Sequence, residues 1–345
     1  MSGLGGVETA LEQRRGPINR TLMEAVPVAK PERLHGAARH LLDAGGKRLR
    51  PALVLLSAET LAALDPQEST NYHEFPAVDG GAVDVLTAAA SVELVQTFTL
   101  VHDDLMDNDD VRRGSPAVHQ QYDDSMAILA GDVLHARAFE LLLRTNAPPE
   151  RSMRALTRLA RTCTEICEGQ TADIGFEDRD HVTVEEYTDM IDRKTASLFA
   201  TSAALPAILL GHDDAVDALA SYGREIGRAF QIHDDLLDLT TPTETLGKQR
   251  GSDLLEGKRT LVSVHARQQG VDIDSLLDGE TAASVSDDTV DDAVEVLAEA
   301  GSLEFARDRA REFVEHGKKE LEPLPSSESR RLLLDVADYL VERRY

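Results

Sequence analysis

Between Val85 and Val101 the chain is apolar on nearly every side, and helical spacing extends from Val83 to Asp107. That pattern predicts a helix buried on most of its faces. Ahead of it, residues 8–42 mix apolar and charged positions at helical spacing, interrupted at Pro17, Pro27 and Pro31, which predicts short N-terminal helices. The apolar run Leu53–Leu64 predicts another, with Pro51 near its first turn. Residues 65–81 read as a polar loop.

Proline is absent from 117–147, 150–205, 207–241 and 243–322, and the spacing there predicts long helices. They are expected at Ser125–Thr145, Glu150–Asp173, Val184–Leu210, Ala215–Leu239, Ser252–Gln268, Thr289–Ala300, Leu303–Leu321 and Ser327–Arg344, with a kink at Pro206. No period-2 alternation predicts a strand. Residues 271–288 read as an acidic surface linker. The simplest architecture is all-α, a single domain over residues 1–345.

The long apolar helix ends in VHDDLMD (101–107), and IHDDLLD (232–238) repeats the pattern 131 positions on. On helices, Asp103 and Asp107 share one face a turn apart, as do Asp234 and Asp238. No lysine or arginine lies inside either motif, so an outside cation must relieve the repulsion. All-oxygen ligands favour a hard divalent ion such as Mg2+. His102 and His233 each point about 100° away from the following aspartate, which suits packing or hydrogen bonding better than base catalysis.

Charge then narrows the setting. Acidic residues number 62 against 36 basic ones, a formal net charge of -26, and only seven of the basic residues are lysines. A carboxylate-rich, lysine-poor surface suits solubility in concentrated salt, where the Debye length falls to about 3 Å at 1 M. A halophile's cytoplasm is the expected location, without nucleic acid or anionic membrane surfaces as partners. No basic-then-apolar leader opens the chain, and no apolar run reaches the roughly 18 residues of a membrane span. Cys163 and Cys167 form neither a zinc set nor a disulfide framework and read as small buried thiols.

Four of the scarce lysines stand in motif-like settings: GGKRLRP (Lys47), DRKTAS (Lys194), LGKQRGSD (Lys248) and EGKRTL (Lys258). Compact ammonium groups of this kind suit phosphate, and Arg112 and Arg113 in DVRRGSP add two cations. Together with the acidic motifs they point to a di- or triphosphate ester. Neither a Walker loop nor an EF-hand loop fits the chain, because the required glycine positions are missing.

In order, GGKRLRP, HDDLMD with RRG, KT, FQIHDDLLD and GKQRGSDLLEGKRT resemble the trans-isoprenyl diphosphate synthases, the polyprenyl synthetases, over residues 45–260. The resemblance implies a helical bundle around a central cavity, usually homodimeric, with the acidic motifs facing across its mouth. It implies that Asp103, Asp107 and Asp234 ligate a Mg2+ cluster holding an allylic diphosphate, with Asp238 acting through water. Arg112, Lys194 and Lys248 would hold that diphosphate, Thr195 and Gln231 would line its site, and Lys258 would add positive field. Lys47, Arg50, Gln96 and Arg113 would bind isopentenyl diphosphate, Gln96 standing where many members carry histidine.

The reaction so implied ionises an allylic diphosphate, adds the alkene of isopentenyl diphosphate to the cation, and loses a proton. Phe98 lies roughly 7 to 8 Å below Asp103 on a helix, with Thr99 about one turn below. An aromatic at Phe98 followed by Thr99, with the two-residue spacer Leu105-Met106, resembles archaeal geranylgeranyl diphosphate synthases. The expected product is mainly C20 from C5 to C15 primers, with C15 and C25 synthases as alternatives. A terpene cyclase or a silent regulatory subunit is disfavoured by two intact Asp-rich motifs.

Overall fold

The computed structural model describes residues 4–63, 70–177, 179–242, 249–276 and 285–343. Helices dominate: α1 (Leu4–Ala25), α2 (Glu32–Asp43), α3 (Leu49–Leu61), α4 (Val85–Met106), α5 (Val118–Gln121), α6 (Asp124–Leu143), α7 (Pro149–Glu177) and α8 (Val184–Ile191) come first. A π-helical turn, Asp192–Ala196, leads into α9 (Ser197–Leu210), α10 (Val216–Thr240), α11 (Ser252–Leu255) and α12 (Leu261–Gln268). Then follow α13 (Asp287–Glu299), α14 (Ser302–Glu320) and α15 (Glu328–Glu342). The all-α expectation holds, although two short antiparallel ladders occur: β1 (Phe75–Pro76) with β2 (Ala82–Val83), and β3 (Val111–Arg112) with β4 (Ser115–Pro116).

The chain forms two compact units interleaved in sequence. The first comprises residues 1–163, 198–221 and 320–336. Its axis is α4, which packs on α6, α3 and α1. Small residues make the close approach to α6 feasible: Ala88, Ala89 and Ala90 are fully buried, and Ser91 Oγ donates to the Ala138 carbonyl at 2.8 Å. Gly131 on α6 is required there, since a Cβ would fall 2.1 Å from His102 Nε2. By length and composition alone α4 could cross a membrane, but most of it is buried against neighbouring helices, as the core helix of a globular unit is.

Pro17 does not break α1, which runs through it to Ala25. The lost backbone hydrogen bond is offset by a continuous buried face of Val7, Leu11, Ile18 and Leu22. On that face Arg14 pairs with Glu59 of α3 at 2.5 Å, and Tyr72 Oη donates to the same carboxylate at 2.6 Å. Likewise α9 continues through Pro206.

The second unit comprises residues 164–197, 222–319 and 337–345. The expected helix Val184–Leu210 stays helical but is interrupted by the π turn. The expected helix Ser252–Gln268 splits, because Gly257 at φ 72° ends α11 and Thr260 starts α12 by accepting from Ser263 N. Of the acidic stretch 271–288, residues 277–284 lie outside the described residues, and α13 begins within its last positions, at Asp287. Cys163 is buried, whereas Cys167 is exposed on the outer face of α7, so only one of the two thiols is a core residue.

Candidate active site

In the first unit, Asp103 sits on the last turn of α4 and Asp107 is its C-cap, donating its N–H to the Asp103 carbonyl at 2.8 Å. The one-face spacing read from the sequence is therefore present. Asp104 points the other way, into the protein, and is fully buried. Arg112 Nε donates to Asp104 Oδ1 at 2.6 Å and Arg112 Nη2 to Asp109 at 2.7 Å. Burial raises the Asp104 carboxyl above its ordinary range, although Arg112 acts in the opposite direction.

Arg112 and Arg113 belong to the β3–β4 hairpin. Arg113 (φ 54°) and Gly114 (φ 73°) form its two-residue turn, both left-handed as a type I′ hairpin requires. Arg113 Nη1 donates to the Gly45 carbonyl at 2.5 Å and to the Leu41 carbonyl at 3.2 Å. Gly46, at φ 140°, lets this happen, because a Cβ would lie 2.8 Å from the Arg113 guanidinium carbon. Buried Glu93 of α4 faces both Arg113 (3.4 Å) and Arg48 (2.5 Å). The GGKRLRP loop and Arg113 are thus brought together, with Lys47 exposed on the loop and Arg50 lying 4.3 Å over the Phe199 ring. Gln96 is half-buried on α4, one turn beyond Glu93.

Below the motif, Phe98 is gripped by aromatic rings. His102 meets it edge-on at 5.4 Å between centroids, and His135 of α6 lies at 5.0 Å with Phe139 a further 5.0 Å on. Thr99 is buried, its hydroxyl donating to the Gln96 carbonyl at 2.9 Å. His102 Nε2 meets the Ile128 carbonyl at 3.2 Å, a packing arrangement.

In the second unit the π turn places Lys194 and Thr195 beside α10. Gly169 of α7 is essential to this seat, because a Cβ would fall 2.3 Å from the Lys194 backbone nitrogen. Asp192, which opens the turn, is held by Arg224 and by Arg228 (2.6 Å) from α10. Lys194 Nζ pairs with Asp173 at 2.5 Å. Thr195 Oγ1 donates to Gln231 Oε1 (2.7 Å), Gln231 Nε2 to Asp235 Oδ1 (2.9 Å), and Tyr187 Oη to Asp235 Oδ2 (2.6 Å). Burial, with Asp253 and Asp234 close by, pushes the Asp235 carboxyl up to about 8. These groups line a cavity of about 110 Å³ with Lys258 and Asp253.

The two terminal carboxylates of this motif differ. Asp238 is buried and accepts from Ser252 Oγ (2.9 Å) and Asp253 N (3.1 Å), so it fixes the start of α11. Asp234 is partly exposed and pairs with Arg343. His233 Nε2 contacts the Arg343 carbonyl at 2.8 Å, again a packing and hydrogen-bonding role. Lys248 lies outside the described residues. Sequence reasoning missed Asp173, Tyr187, Glu93, His135 and Arg343. Only Glu93 carried a signal, an acid within an apolar helix.

The donors fit a hard divalent ion. Asp103 and Asp107 offer oxygen alone, and at Asp234 an arginine already supplies the cation that the carboxylate calls for. Among the described residues no three acidic, histidine or cysteine groups make a cage.

Residues 31–297 match the polyprenyl synthetase family model. The chain is 56% identical over 346 residues, the full length of both proteins, to a geranylfarnesyl diphosphate synthase of Natronomonas pharaonis. It superimposes with TM-score 0.84 on a geranylgeranyl pyrophosphate synthetase from Geoglobus acetivorans, 43% identical and covering 96% of this chain and 99% of that one. A Caulobacter crescentus polyprenyl synthase, solved with calcium and isoprenyl diphosphate, gives 0.83 at 32% identity over 100% and 99%. The chain belongs to the polyprenyl synthetase family. It is a trans-prenyltransferase of the geranylgeranyl or geranylfarnesyl diphosphate synthase type.

Proposed function

We propose that this enzyme condenses isopentenyl diphosphate with allylic diphosphates of C5 to C15, acting as a single catalytic domain, and releases mainly the C20 product. The observation that carries the product length is Phe98, braced on one side by His102 and on the other by His135, which Phe139 backs in turn. A ring held between two neighbours resists displacement by a growing apolar chain. A C25 product is the second reading, favoured by the 56%-identical geranylfarnesyl diphosphate synthase. A C20 primer with isopentenyl diphosphate separates the two: mass spectrometry should show little C25, and efficient C20-to-C25 extension would decide for the second reading. Phe98→Ser should lengthen the product, and an unchanged distribution would refute the floor role.

The residues take these parts. Asp103 and Asp107 in one unit, and Asp234 in the other, would each ligate Mg2+, with Asp238 as a support that fixes the Ser252 end of the loop. Bound Mg2+ would neutralise charge as the allylic carbon–oxygen bond breaks. Arg112, Lys194, Lys248 and Lys258 hold the allylic diphosphate, with Thr195 and Gln231 lining its pocket. Lys47, Arg50, Gln96 and Arg113 take isopentenyl diphosphate. Carboxylates pre-set several of these cations: Asp104 and Asp109 orient Arg112, Glu93 orients Arg113, and Asp173 orients Lys194. Such pre-orientation lowers the ordering cost on binding.

The enzyme works in the cytoplasm as a homodimer. Support for the dimer comes from α6, whose outer face shows Ile128, Leu129 and Leu143, each 47–61% exposed, beside half-buried Phe139. An apolar stripe of that kind on a soluble helix calls for a partner surface. Sedimentation in concentrated KCl should give twice the chain mass, and Ile128→Glu with Leu129→Glu should give monomers.

A further inference from the structure

Arg343 follows α15 directly, and three residues on one face of α10 receive it. Its guanidinium pairs with Asp234. The guanidinium carbon lies 4.3 Å over the centre of the Phe230 ring. The Arg343 carbonyl meets His233 Nε2 at 2.8 Å. Positions 230, 233 and 234 are spaced i, i+3 and i+4, so a single residue engages one continuous strip of the helix. The Arg343 side chain is only 5% exposed although its partner carboxylate is 41% exposed. Its backbone N–H donates to the Tyr339 carbonyl at 3.0 Å, which continues the α15 ladder and aims the side chain.

We propose that Arg343 is the resident counter-cation of the second acidic motif: it neutralises and positions Asp234 in the metal-free enzyme and is exchanged for the divalent ion on loading. This inference rests on the assignment of Asp234 as a metal ligand. Asp234 shares a helix face with Asp238 one turn on, and carboxylates at that spacing repel, so a cation beside Asp234 relieves the motif. A guanidinium and a divalent ion do not share one carboxylate oxygen at contact distance, because the two cations repel at that separation. Metal binding therefore carries the cost of opening the Arg343 contact, and the apparent affinity falls by the fraction of molecules in which it is open. The Arg343 end of the pair is nearly buried while the Asp234 end is partly exposed, so salt screens the contact only in part.

The test measures metal binding in the full-length chain. Mn2+ alone is titrated in concentrated KCl and followed by its electron paramagnetic resonance signal. An Asp103→Asn/Asp107→Asn background leaves only the second motif to titrate. Into that background are placed Arg343→Ala, Arg343→Gln, Arg343→Lys and, separately, Asp234→Asn. Circular dichroism confirms the fold of each variant, and the glutamine and lysine variants keep the stem that packs on Phe230. The expected result is Mn2+ binding at least about fivefold tighter in the alanine and glutamine variants, with lysine close to the parent. Unchanged affinity in both the alanine and glutamine variants, while Asp234→Asn weakens binding, would overturn the counter-cation and leave the metal assignment standing. Affinity unchanged by Asp234→Asn, or no saturable binding in the background, would overturn the metal assignment and the exchange with it.

Discussion

Asp103→Ala should lower turnover by about 10²- to 10³-fold, the scale on which single groups that stabilise developing charge act. The fold should survive, because the substitution removes one of two carboxylates that repel across a helical turn and leaves buried Asp104 with its Arg112 partner. Steady-state rates with a C10 or C15 allylic primer, isopentenyl diphosphate and Mg2+ measure the first half. Denaturation in the same salt measures the second. Normal Mg2+-dependent turnover in the variant would remove Asp103 from the metal site. A large fall in stability would show that its role is structural, as that of Asp104 is by its burial.

The first acidic motif shows what sequence could reach. Periodicity alone placed Asp107 one turn beyond Asp103 on the same face and set Phe98 below them, since each of these depends only on position along one helix, whereas the burial of Asp104 on Arg112 depends on a partner outside it. Helix boundaries were less legible where a single residue's conformation decides: Gly257 splits an expected helix, while Pro17 fails to split one because packing of α1 outweighs the lost hydrogen bond. The π turn left no trace in the pattern. It depends on Gly169, more than twenty positions away, and on the hold of Arg224 and Arg228 on Asp192. Asp173 and Arg343 were invisible for the same reason, as partners distant in sequence.

These partners give the acidic motifs and the cations a common logic. The sequence suggested that bound metal must relieve the carboxylates and bound phosphate must occupy the cations. In the structure much of that neutralisation is internal: Arg112 with Asp104, Lys194 with Asp173, and Arg343 with Asp234. On the proposed assignment, the protein holds these charges in place before substrate arrives, and substrate and metal would compete with or add to contacts already made. A cation oriented by a carboxylate is positioned at less entropic cost than one left to order on binding.

Glu93 carries the strongest version of this argument. It is 2% exposed in the apolar body of α4 and serves two arginines at once, Arg48 at 2.5 Å and Arg113 at 3.4 Å. Arg48 is itself buried and left-handed at φ 52°, tied also to Asn19 (2.9 Å) and to the Leu42 carbonyl (2.9 Å). Glu93→Ala would leave a buried guanidinium without its counter-charge, a loss of about 3–5 kcal/mol in stability. Because the pair is buried, the loss should be similar at 1 M and 3 M KCl, unlike that of a surface pair, which salt screens. On the proposed assignment, Arg113 would also lose its tether, so the KM for isopentenyl diphosphate should rise more than that for the allylic primer. Glu93→Gln, which keeps the shape but not the charge, should fall between. Denaturant titration at both salt concentrations and paired KM measurements check these outcomes. A stability change under about 0.5 kcal/mol, the range of ordinary surface substitutions, would show that Arg48 and Arg113 do not depend on this carboxylate.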